Sequence, residues 1–124
     1  MTVKIAFGKA AALCGIYDEL DSFNESELNR RCLALVNSVY ADLYGALQFS
    51  GRAVEKYAPL KSADEMIPLD DIIITDCLIY GVAMYIAQSE RDEYNKRMFE
   101  KIYEKKRLRY ETADRYGETA DTLP

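Results

Sequence analysis

Three aspartates in the segment LDDIIITD, Asp70, Asp71 and Asp76, come nearest to a catalytic constellation in this chain. Paired carboxylates hold magnesium against a diphosphate when they share a helix face, normally at i and i+3 or i+4. Asp71 and Asp76 stand about 140° apart round an α-helix of 3.6 residues per turn, and Asp70 and Asp76 about 120° apart. That geometry is poor. Helix-start roles account for Asp70 and Asp71, because anions are favoured in a first turn, and Asp76 needs one polar partner. Glu25, Glu27 and Asp42 raise an all-helical, magnesium-dependent nucleotide hydrolase as a further idea. Such a site needs acids facing one another from two helices, and the apolar stretch from Ile72 to Ala87 supplies too few.

Histidine is absent, which removes the commonest general acid–base, the Ser–His and Cys–His pairs and nearly all standard zinc sites. Gly8, Gly15, Gly45, Gly51, Gly81 and Gly117 are scattered, so no phosphate-cradling loop is expected. Cys14, Cys32 and Cys77 are odd in number and widely spaced, fitting neither a disulfide framework nor a metal knuckle. They read as small buried apolar residues of a reducing compartment. The expectation is a non-enzymatic protein with no catalytic residue, no cofactor and no metal.

The elements that would carry these residues are helices. With 124 residues, 49% hydrophobic and 30% charged, the chain makes one domain large enough for its own core. Val3 to Cys14 reads as a short helix closed by Gly15 in the left-handed C-cap position. Asn24 offers an N-cap with Glu27 as its capping-box partner. Leu28, Cys32, Leu35, Val36, Val39, Tyr40, Leu43 and Leu47 then recur at helical spacing, so a second helix runs from about Glu25 to Gln48. Residues 51–68, with Pro59 and Pro68, form a long crossover arm. Pro68 to Gln88 is apolar nearly all round and should be the central helix. Ser89 to Asp92 is a tight turn, and Glu93 to Tyr110 is a fourth helix carrying Met98, Phe99, Ile102, Tyr103 and Tyr110 on one face. The fold class is all-α: a bundle of about four helices over residues 1–111, with a polar C-terminal tail over 112–124. Its core should rest on Leu28, Leu35, Val39, Leu43, Ile73, Cys77, Tyr80, Met84, Phe99 and Ile102. No secretory leader is expected, and the uncharged run Cys77 to Ala87 is shorter than the ~20 residues of a membrane span.

The net charge of −5 hides a split. Residues 1–90 carry seven basic and thirteen acidic side chains, whereas residues 91–109 carry eight basic and four acidic ones. One account is a solvated face with i,i+4 pairs such as Glu93–Arg97. A sharper one sets the basic face of one copy on an acidic face of the next, a heterologous contact that closes into a ring when the rotation permits. The expected subunit contacts are Lys101, Lys105 and Arg109 against Asp18, Glu19, Asp64 and Glu65. The acidic total argues against a general nucleic-acid binder. A helix-turn-helix regulatory module is the main rival, weakened by Asp92 and Glu93 at the start of the helix that follows the turn.

Read in order, AAALCGI, an acidic gap, LNRRCLALVNSVYADLY, a proline-bearing crossover ending MIPLDDIIITDCLIYGVAMYIAQSERD, and FEKIYEKKR resemble the small helical head–tail connector (adaptor or head-completion) proteins of tailed bacteriophages and prophages. The resemblance implies a structural protein of the virion neck, made in the bacterial host cytoplasm. It implies a homo-oligomeric ring of about twelve subunits beneath the portal protein. The ring lines the DNA channel without sequence-specific binding and docks a downstream neck or tail protein. No membrane partner is implied. A crossover arm and a C-terminal tail that order against the portal or a neighbour are typical of that family.

Overall fold

The computed structural model describes residues 1–16, 25–49 and 56–112. They form an all-α bundle of four helices: α1 (Val3–Leu13), α2 (Glu25–Phe49), α3 (Asp71–Ser89) and α4 (Glu93–Thr112). The Asn24 cap, Asp18, Glu19, residues 51–55 of the arm and the tail beyond Thr112 lie outside the described residues.

Local chemistry sets the helix ends. Thr2 accepts the Ile5 amide on its hydroxyl at 3.2 Å, satisfying one of the donors that a helix start leaves open. At the other end Gly15 adopts φ +71°. The Gly15 and Ile16 amides then fold back onto the Ala12 and Ala11 carbonyls at 3.1 and 3.2 Å, a closure that requires a left-handed residue. α3 starts at Asp71 and not at Pro68, because residues 68–70 are used in a turn in which the Leu69 amide donates to the Ile67 carbonyl at 2.8 Å.

The middle of α3, Ile74–Leu78, is π-helical. One extra residue enters that turn, so rotation at 3.6 residues per turn does not hold between Asp71 and Asp76. By length and composition α3 is apolar enough to cross a bilayer. Here it is the core helix, with Ile74, Cys77, Leu78, Val82 and Ile86 buried and the other three helices packed round it.

Pairwise contacts give the directions. Arg31 of α2 donates to Ser89 at the end of α3 (2.6 Å), and Val39 of α2 lies against Gly81, so α2 and α3 are antiparallel. α4 folds back along α3: Tyr80 meets Phe99, the Cys77 thiol points at the Tyr103 carbonyl, and Asp76 meets Tyr110. α1 runs alongside α3 in the same sense, from Met1 beside Asp71 to Cys14, whose thiol donates to the Ala83 carbonyl at 3.4 Å. α1 and α4 thus occupy different flanks of the α2–α3 pair.

Val39, Leu43, Ile73, Cys77 and Phe99 are buried as the spacing predicts, while Leu28, Leu35, Tyr80, Met84 and Ile102 are half-buried at the rim. The core also takes in α1, whose Val3, Ala6, Phe7, Ala10 and Ala11 are all buried and lie outside the core that the spacing predicts. Its alanines let the helix lie close to α3, and burying Phe7 contributes roughly 2–3 kcal/mol of hydrophobic free energy.

Residues 56–70 do not project from the body. Leu60, Ala63 and Ile67 are buried, and an isolated antiparallel bridge joins Met66 to Thr2. The Val3 and Lys4 amides, open donors of the first α1 turn, donate to the Glu65 and Ala63 carbonyls at 3.0 and 2.9 Å. Asn37 of α2 completes the attachment: its amide donates to the Leu60 carbonyl and accepts from the Leu60 amide, both at 2.8 Å. This part of the arm is a strap across α1 and α2 of its own chain.

Candidate functional site

The acids that raise the question of catalysis are drawn apart. Asp71 pairs with the Met1 amine at 3.0 Å on an exposed edge. Asp76 lies in the π turn, where the Tyr110 hydroxyl donates to it at 2.9 Å and Lys106 pairs with it at 2.9 Å. Asp42 receives the Tyr103 hydroxyl at 2.5 Å, with the Arg107 guanidinium 3.6 Å away. Glu25 and Glu27 open α2, more than four helical turns before Asp42, or roughly 23 Å along the axis. Among the described residues no three His, Cys, Asp or Glu side chains gather as a metal would require.

The arrangement round Asp42 and Asp76 is a two-fold clasp built by α4. Tyr103 and Arg107, one turn apart, hold the α2 carboxylate, and Lys106 and Tyr110, one turn apart, hold the α3 carboxylate. Burial, and then the hydrogen bond to the Asp42 carboxylate, push the Tyr103 phenol well above its ordinary range. Phenols so placed stay protonated and act as donors. The clasp ties three helices together.

The thiols are equally quiet. Burial pushes Cys77 up to about 12 and Cys32 up to about 11. Cys14 also rises to about 11, through burial and then the nearby carboxylates of Asp92 and Glu90. A nucleophilic cysteine needs the opposite shift.

The turn after α3 has a definite form. Arg91 takes φ +58°, and the Arg91 and Asp92 amides close onto the Gln88 and Ala87 carbonyls at 3.1 and 2.9 Å. Asp92 then caps α4, accepting from the Asn95 amide at 3.1 Å and from its side chain at 2.6 Å. The result is an antiparallel hairpin. A helix-turn-helix crosses its two helices at about 90–120°, so this joint does not present α4 as a recognition helix.

The residues expected at a subunit contact fall at two places. Lys101 and Lys105 are exposed on α4 and Arg109 is half-buried one turn on; none of the three has an ion-pair partner among the described residues. The i,i+4 pair on this helix is Lys96–Glu100 at 3.0 Å, not Glu93–Arg97. Asp64 is exposed on the strap, and Glu65 is half-buried with one carboxylate oxygen accepting the Lys61 amide at 2.8 Å. Asp18 and Glu19 lie outside the described residues. The described basic and acidic candidates therefore sit on the α4 flank and the α1 flank respectively.

Large apolar side chains are exposed at the same two places. Met98 is not on the buried face with Phe99, Tyr103 and Tyr110; it is 39% exposed, beside Tyr94 at 80% and Leu108 at 57%. Tyr94, Met98, Lys101, Lys105 and Leu108 recur at steps of four and three, a second stripe that the sequence already holds. Glu93, Tyr94, Arg97, Met98 and Lys101 line an open groove of about 540 Å³. A smaller one of about 400 Å³ lies between Tyr44 and Tyr57. At the strap, Met66 is 61% exposed, with Ile5 at 52% and Ile72 at 63% on the two adjoining helices.

Comparison with protein-family models, with curated proteins and with solved structures returns no match for this chain.

Proposed function

We propose that this chain is a non-enzymatic structural subunit that assembles head-to-tail into a homo-oligomeric ring. The ring joins the portal protein of a tailed phage or prophage capsid to the downstream neck or tail protein, and DNA passes through its channel without sequence-specific binding. Its place is the virion neck, and the host cytoplasm during assembly.

The observation that carries the assembly part is the separation of unpaired charge. Lys101, Lys105 and Arg109 find no acid within the described chain, while Asp64 stands exposed on the opposite flank. Charges on different flanks cannot neutralise each other within one subunit, and a second copy brings them together. Such a contact is heterologous, the type that generates rings. The phage-neck part rests on the likeness to head–tail connectors in the order of AAALCGI, the α2 stripe, IPLDDIIITDCLIYGVAMYIAQSERD and FEKIYEKKR.

Electron microscopy of the concentrated protein, alone and with a portal, tests both parts. Rings, and their loss with K101E/K105E/R109E while circular dichroism stays unchanged, support the reading. Protein that stays monomeric under every condition overturns it.

A further inference from the structure

The α4 groove and the strap corner fit each other in charge and in apolar character. Beyond the charge pairing, and resting on the assembly reading above, we propose that the Tyr94–Met98–Lys101 face of α4 is the seat for the Met66 corner of a second copy.

The corner is where three segments meet. Met66 is bridged to Thr2 at the start of α1, and the Met1 amine reaches Asp71 at the start of α3. Each segment leaves one large apolar side chain in water: Ile5, Met66 and Ile72. Around them are Asp64, Asp70, Asp71 and the half-buried Glu65, with Lys4, Lys61 and the Met1 amine as the neighbouring cations, so the corner stays slightly acidic on balance. The α4 face carries Arg97, Lys101 and Lys105 with Glu93 and Glu104, and is basic on balance. Scattered single apolar residues on a surface need no explanation, but three apolar side chains grouped at one corner, with polar and charged groups round them, have the make-up of an interface: an apolar centre and a polar rim.

Self-pairing of the α4 face is disfavoured by the same charges. Two copies of α4 would set Lys101 and Lys105 against their own counterparts and leave the strap corner uncovered. Seating the corner on α4 covers Tyr94, the most exposed large apolar side chain among the described residues, and gives Lys101 and Lys105 the carboxylates of Asp64 and Asp70. Tyr94 and Met98 are anchors of the type that dominates interface energetics, aromatic and adaptable.

The test uses the full chain. A photo-crosslinking benzoylphenylalanine at position 94 should join, between copies, to a peptide containing Met66. Met98→Asp and Met66→Lys should each weaken assembly about tenfold or more in sedimentation. Mixed together, the two variants should recover a one-to-one dimer, because each retains the surface that the other lacks. Crosslinks landing elsewhere, or variants assembling like wild type, overturn this interface while leaving the ring intact. Wild-type protein that never assembles overturns the interface and the ring together.

Discussion

Tyr103 donates its hydroxyl to Asp42 across the α2–α4 seam at 2.5 Å, while its ring lies 3.0 Å from where a Cβ on Gly81 of α3 would stand. One side chain thus meets both other helices, and its ring sets how close α3 can come. Removing the hydroxyl by Tyr103→Phe should destabilise the fold by about 1 kcal/mol, since Asp42 is half exposed and keeps Arg107. Tyr110→Phe should cost a similar amount through Asp76, and the double variant should sum the two, because the carboxylates are separate. Urea denaturation of the single and double variants measures this; a strongly non-additive result means the two clasps act as one network.

Gly81 should not tolerate a methyl group. An added Cβ would lie 2.7 Å from the Val39 side chain and 3.0 Å from the Tyr103 ring, inside the packed core. Valine is stiff at χ1 and the phenol is tethered to Asp42, so neither neighbour yields cheaply. Gly81→Ala should cost roughly 1–3 kcal/mol by overpacking. Pairing it with Val39→Ala opens the needed space, so the double variant should be less destabilised than the sum of the singles. Thermal melts of the four proteins in that cycle decide it.

Two helices end with the same amide closure but different residues at its left-handed position. Gly15 holds it after α1 and Arg91 after α3, at φ +71° and +58°. An L-residue with a side chain is strained there by roughly 1–2 kcal/mol, and glycine is not. Part of that gain is lost to the greater freedom of glycine in the unfolded chain. Arg91→Gly should therefore stabilise the protein by about 0.5–1 kcal/mol, and Gly15→Ala should destabilise it by a like amount. An unchanged melting midpoint for Arg91→Gly means the arginine gains something in place that offsets its strain.

The pH response should be alkaline. The three thiols are held protonated by the fold, with Cys77 raised from 9.0 to about 12 and Cys14 and Cys32 to about 11. Their contribution is full below pH 9. As pH rises past it, the unfolded chain sheds protons that the native chain keeps, and stability falls by up to ~1.4 kcal/mol per pH unit for each of the buried Cys32 and Cys77, and by less for Cys14, which solvent partly screens. Tyr103 adds to the loss above its ordinary range, its folded value being raised in the same sense. Urea midpoints should hold from about pH 8 to about pH 9 and then fall toward about pH 10.5; a flat profile means the thiols ionise within the fold.

What the sequence made legible was periodic and local. The α2 stripe, the Gly15 stop, the apolar α3 and the turn at Ser89–Asp92 all follow from spacing or from one conformationally special residue. The π turn did not, because it answers to tertiary partners: Asp76 is aimed at Lys106 and Tyr110, which stand thirty or more residues away. The strap was likewise hidden, since it is held by backbone groups at the start of α1 and by Asn37 on a helix whose stripe reads as apolar. On α4 the buried residues mask a second stripe at the same step, and only packing against α2 and α3 tells which stripe faces water.

Asn37 and Leu60 give the last test. The amide side chain acts as a backbone surrogate, one donor and one acceptor meeting the Leu60 carbonyl and amide. Asn37→Ala leaves two partly buried backbone groups without partners and should cost about 2 kcal/mol. Asn37→Asp keeps the acceptor but sets a carboxylate against the Leu60 carbonyl, so it should cost as much or more at neutral pH. The loss should also reach the α1 start, because the strap carbonyls of Ala63 and Glu65 hold the first α1 amides. Hydrogen exchange of Val3 and Lys4 should therefore quicken in both variants, while amides in the α3–α4 hairpin stay protected. Uniform loss of protection over the whole chain would show instead that the strap and the bundle unfold as one unit.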